Sequence, residues 1–165
     1  MNSNKYLPFL VCGFGGAVLT TVPYLKSFSC CLIIPAASFG ALYLSLRVKN
    51  ISTPIDTKKA IFYGLITGII AALFSSVFEL LITFITHSND FVETLPQTES
   101  LMRSLELGLL LDQTMGLLNK MSKDISVSGF SLLYTVAITF SNIIIDSIFG
   151  IIGGVIGMSV INKRS

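Results

Sequence analysis

Residues 60–86 read AIFYGLITGIIAALFSSVFELLITFIT. A single charge, Glu79, interrupts the run. As a helix it would extend about 40 Å, more than the ~30 Å hydrocarbon core of a bilayer needs. Gly64, Gly68, Ala72 and Ser76 recur four residues apart, so they share one helix face. Lipid offers no hydrophobic drive between helices, and small faces let backbones approach closely enough for van der Waals contact to hold them. The stretch therefore reads as a membrane-spanning helix with a built-in packing face.

The rest of the chain agrees. Only 12% of its 165 residues are charged and 52% are hydrophobic, against about 25% charged in an ordinary soluble domain. Too little polar surface exists to cover a water-soluble globule. A first apolar run covers 6–24, with no small-residue cleavage pattern behind it, and reads as a retained span. Residues 25–29 form a turn, and a second span follows over 30–46, with Pro35 early enough to be tolerated. After the polar linker 47–59 comes the span 60–86, then the polar section 87–128. Within that section 98–121 has leucines near helical spacing, including Leu101, Leu105, Leu109 and Leu118. Pro96 and Thr98 offer its start, and it reads as an amphipathic helix lying on the membrane or on the bundle. The last run, 129–161, is about 50 Å long as one helix, and its span is placed at 139–161. The expected fold is all-α and polytopic: four transmembrane helices in one membrane domain, with the amphipathic helix between spans three and four.

Four spans put both termini on one side. That side carries Lys5, Arg47, Lys49, Lys58, Lys59, Lys163 and Arg164, and basic residues in short loops favour the cytoplasm. The 87–128 section then faces outward with Asp90, Glu93, Glu99, Glu106, Asp112 and Asp124 against Arg103, Lys120 and Lys123. The expected location is an inner membrane.

Every span has small residues at similar spacing. The last carries Gly150, Gly153, Gly154 and Gly157; the second Ala37, Ala41 and Ser45; the first Gly13 with Ala17. They serve packing inside the bundle, or, in a sharper reading, one stripe on the last span meets another subunit.

Two acids lie in apolar runs. Glu79 is about 30 Å along its helix from Lys59, and Asp146 about 25 Å from Lys163 on an antiparallel one, so both reach a similar height near the outer boundary. An ionised side chain in hydrocarbon costs at least about 2.5–3.5 kcal/mol, so each should face the bundle interior, water or headgroups. Asn142 sits one turn from Asp146; Ser75, Ser76 and Thr83 accompany Glu79; Arg103 is a candidate counter-ion for either acid. The acids either carry protons or ions, or they hold an external cap to the bundle. The structural alternative ranks first, because acids at the boundary reach water cheaply.

Other chemistry is sparse. There is no G-x-S-x-G, HExxH, phosphate-binding loop or dinucleotide fingerprint, and the GFGG at 13–16 lies inside the first span. His87 is the sole histidine, and Cys12, Cys30 and Cys31 form no CxxC, so no metal or cofactor site is expected. The adjacent Cys30 and Cys31 suit packing first, and lipidation or redox chemistry second. A net charge of +2 gives no footprint for nucleic acid.

The stretches GFGGAVLTTVPYLKSFSCCLIIPAASFGALYLSLR, IDTKKAIFYGLITGIIAALFSSVFELL and IFGIIGGVIGMSV together resemble small prokaryotic four-span membrane proteins grouped as domains of unknown function. The resemblance covers most of the chain and implies the four-span layout; it brings no activity, substrate or site residue. The cysteine-rich turn of that family is reduced here to Cys30 and Cys31. The expected role is a structural or accessory component that meets lipid, copies of itself or a larger membrane complex. The alternative is a small oligomeric transporter or channel using Glu79 and Asp146.

Overall fold

The computed structural model describes residues 6–49, 54–104 and 109–163. Lys5 and Arg164 among the basic anchors, Leu105 and Glu106 in the polar section, and residues 50–53 of the linker lie outside the described residues. The described chain is all helix: α1 Leu7–Thr20, a short α2 Pro23–Lys26, a π-helical turn Ser29–Ile33, α3 Ile34–Lys49, α4 Thr57–Thr86, α5 Asp90–Ser104, α6 Leu109–Ser128 and α7 Leu132–Asn162. Three helical segments are long and apolar enough to cross a membrane: Ser29–Val48, Thr57–Thr86 and Leu132–Asn162.

The first run is shorter than its composition suggests. Pro23 disfavours helix at the residue before it, and Val22 is extended (φ −77°, ψ 121°). α1 therefore stops after 14 residues, about 21 Å, less than a ~30 Å core. The expected turn at 25–29 is partly helical, because α2 covers its beginning. The π-helical turn then feeds α3, so Pro35, which lacks an N–H, sits just inside the α-helix proper.

The chain forms two compact units, one of residues up to Phe78 plus those from Thr139 onward, the other Glu79–Ile138. In the first unit α1, α3, α4 and α7 meet through small residues. Gly16 faces Ala37 on α3, and Gly13 faces Ile70 on α4. Phe9 meets Tyr63 edge-on at 4.9 Å, and Phe14 meets Phe74 edge-on at 5.2 Å. Gly64 lies on the backbone of Gly150, Gly68 on that of Asp146, and Gly154 on that of Ala60. Gly153 lies on the backbone of Pro35, and Gly157 faces Phe39 and Leu42. Along these contacts α1 and α3 run antiparallel, as do α4 and α7. Ala72 is fully buried with them. The glycine face of α7 is thus taken up inside this chain, by α4 and α3, and not left for another subunit.

One end of this unit is tied by a side chain that composition does not flag. The Asn162 amide donates to the Ile55 carbonyl (3.1 Å) and accepts from the Ile55 N–H (2.9 Å). Ile55 itself is buried against Leu42 and Ala60. Asn162→Ala removes both bonds and should cost about 1–2 kcal/mol. Thermal unfolding in detergent would measure the cost, and hydrogen exchange at the Ile55 amide should accelerate; unchanged exchange would show that the clamp does not hold.

The second unit corrects the amphipathic segment. Helix begins at Asp90, not at Thr98, and Pro96 lies inside α5. The reason is a stronger start upstream. Asn89 Oδ1 accepts the Val92 N–H (3.0 Å) as an N-cap, and Asp90 and Glu93 place negative charge in the first turn. A second helix, α6, covers the rest. Its stripe Leu111, Met115, Met121 and Ile125 is buried with Leu95 of α5 and Tyr134 of α7. Two residues of positive φ close helix ends, His87 (54°) after α4 and Gly129 (71°) after α6. Gly129 has a second constraint, since a side chain there would meet the backbone of Phe84.

Candidate functional site

The polar residues of the apolar helices fall into two groups, one in each unit. In the first unit Asn142 donates through Nδ2 to Ser76 Oγ at 3.1 Å, which links α7 to α4. At the adjacent position of α4, Thr20 of α1 spends its hydroxyl proton on the Ala17 carbonyl (2.7 Å). Its oxygen is therefore the acceptor in the 3.1 Å contact with Ser75 Oγ, which donates. These bonds satisfy hydroxyls that lipid could not.

Asp146 is placed differently. It is only 8% exposed, one helical turn beyond Asn142. Gly68 allows this, because any side chain at 68 would strike the Asp146 backbone carbonyl. No side chain among the described residues hydrogen-bonds or pairs with the carboxylate. On α3, the Ser38 and Ser45 hydroxyls are likewise buried without a partner.

In the second unit Glu79 accepts a hydrogen bond from the Tyr134 hydroxyl at 3.1 Å. Tyr134 is 5% exposed, and its ring lies tilted against Phe91 at 5.6 Å. Thr83 receives the Asn89 Nδ2 at 3.2 Å, so one asparagine both caps α5 and grips α4. Arg103 turns to Glu99 of its own helix, 2.7 Å away, and is not the counter-ion of Glu79. A surface pair four residues apart forms within the helix and needs no tertiary structure, so it captures the guanidinium first.

Of the proposed polar set, Asn142 and Asp146 share one unit, and Glu79 and Arg103 the other; none of the four bonds to another. Tyr134 and Thr20 are the partners that sequence reading missed, while Ser76, expected beside Glu79, is bonded to Asn142. Tyr134 and Glu79 are 55 positions apart, and no local pattern links them. Among the described residues no three His, Cys, Asp or Glu side chains gather closely enough to hold a metal ion. Within the apolar helices, the described residues thus offer hydrogen bonding and the buried Asp146 carboxyl group, which has no side-chain partner among them. No family model matches the chain, and neither the curated proteins nor the solved structures contain a match.

Proposed function

We propose that this chain is a structural component of a prokaryotic inner membrane, an accessory or interaction subunit and not a catalyst. The observation that carries the reading is the contact of α4 with α7. Their backbones touch at Gly64 and Gly150 and again at Gly68 and Asp146, which leaves no gap between the two helices beside the acid. Large apolar residues on the outer faces, such as Val77 (50% exposed) and Ile148 (52%), remain for lipid or a partner helix.

In this reading α1 is the fourth span. It buries Gly13, Gly16 and Ala17 and exposes Leu10, Val11 and Val18, a surface suited to lipid. Its short length is met by local thinning or by the flanking Tyr24 and Phe28 at the interface. The alternating helices bring the end of α3, the start of α4 and the end of α7 together, with Arg47, Lys58, Lys59 and Lys163, and this supports cytoplasmic termini. α5 and α6 then lie outside. The four-span resemblance supports the same layout.

The second reading is a small oligomeric transporter or channel, favoured by the buried carboxylate of Asp146, which has no side-chain partner among the described residues. Purification in mild detergent with mass spectrometry separates the two. A co-purifying partner at fixed stoichiometry is expected. A clean homo-oligomer that carries charge flux in liposomes would overturn the structural reading.

A further inference from the structure

We propose that a groove between α6 and the first turns of α7 binds a zwitterionic phospholipid. An acyl chain lies along its apolar wall, the phosphate meets Lys120, and the headgroup ammonium meets Asp124. The groove is open on one side and has a volume of about 440 Å³. α6 lines it with Leu117 and Met121, and α7 with Leu132, Leu133 and Val136.

Three observations select the occupant. The α7 wall is apolar and open: Leu132 is 69% exposed and Val136 60%. These residues open a helix apolar enough to cross a membrane, so the groove runs onto a lipid-facing surface. Among the described residues its polar lining is one cation and one anion, Lys120 and Asp124, one turn apart on α6. They make no ion pair with each other or with another described side chain. Their order accounts for that, since a base one turn before an acid is the weaker arrangement and opposes the helix dipole. An anionic headgroup would satisfy Lys120 and be repelled by Asp124. A phosphoethanolamine headgroup carries both charges at short separation and satisfies both. The inference stands beside the proposed function, because it requires only that the apolar helices lie in a membrane.

The test is native mass spectrometry on the full chain, washed free of lipid in detergent and titrated with phosphatidylethanolamine or phosphatidylglycerol. One phosphatidylethanolamine per chain is expected to bind, at lower concentration than phosphatidylglycerol. Lys120→Ala and Asp124→Ala should each weaken phosphatidylethanolamine binding about ten-fold, the loss of one charge-assisted contact. Asp124→Ala should at the same time strengthen phosphatidylglycerol binding. Val136→Trp should fill the groove and abolish both. Equal binding of the two lipids, a preference for phosphatidylglycerol, or variants indistinguishable from the parent chain would each overturn the proposal. So would a peptide or protein chain held in the groove in place of lipid. Should Val136→Trp fail to fold, the Lys120 and Asp124 variants decide alone, because neither side chain makes a hydrogen bond or ion pair with the described residues.

Discussion

Gly68→Leu should be among the most damaging single changes in the helical bundle. The first side-chain carbon at this position would collide with the carbonyl of Asp146 and crowd the Cα of Ser147. Both are backbone atoms, so no rotamer change relieves the collision, and α4 and α7 must separate. Separation also breaks the contacts of Gly64 with Gly150 and of Gly154 with Ala60, which lie along the same seam. The loss should reach or exceed the ~3 kcal/mol at the upper end of ordinary overpacking. That is a large share of a typical stability of about 5–15 kcal/mol. The same bundle supplies a control. A side chain at Gly15 would meet nothing within 4 Å. Gly15→Leu should therefore be tolerated, and Gly15→Ala should stabilise α1 by up to about 1 kcal/mol through helix propensity. Unfolding in detergent, followed by circular dichroism, compares the three. If Gly68→Leu matched Gly15→Leu, the close packing of α4 on α7 would be wrong.

The contrast between those two glycines marks how far sequence reading reaches. The apolar runs that became α4 and α7 were legible because a bilayer imposes length and composition together. The faces carrying Gly64, Gly68 and Ala72, and Gly150 to Gly157, were legible as small. Which neighbour each face meets was not, since four-residue spacing says nothing of the opposite helix. Gly13 and Gly15 look alike in sequence, yet one is pressed against Ile70 and the other faces open space. The end of α1 could have been read from Val22-Pro23, where the proline ring acts on the residue before it. Pro96 misled for the converse reason. A proline near a helical pattern suggests a start, but the cap at Asn89, inside Ser88-Asn89-Asp90, is the stronger local signal. The Glu79–Tyr134 bond and the Asn162 clamp on Ile55 depend on chain segments far apart, and only the folded chain brings them together.

Asp146→Asn should raise stability, and the size of the rise bears directly on what the acid is for. No hydrogen bond or ion pair of the carboxylate within the chain is lost, since the described residues provide none. What disappears is the burial of a charge, which costs up to about 2.5–3.5 kcal/mol where a carboxylate is held ionised deep in hydrocarbon and less near the boundary. Asparagine keeps the shape, so the fit against Gly68 and the Asn142–Ser76 bond should persist. A gain of up to about 2 kcal/mol in detergent is therefore expected. Under the structural reading the co-purifying partner should stay bound, and proton flux into liposomes should equal that of protein-free vesicles before and after the change. The opposite pattern is equally definite. If the parent chain conducts protons or cations and Asp146→Asn abolishes that while the fold is stabilised, the carboxylate is kept at the expense of stability for transport, and the structural reading falls. A loss of stability would contradict both, because it would require a partner for the carboxylate that the described residues do not provide.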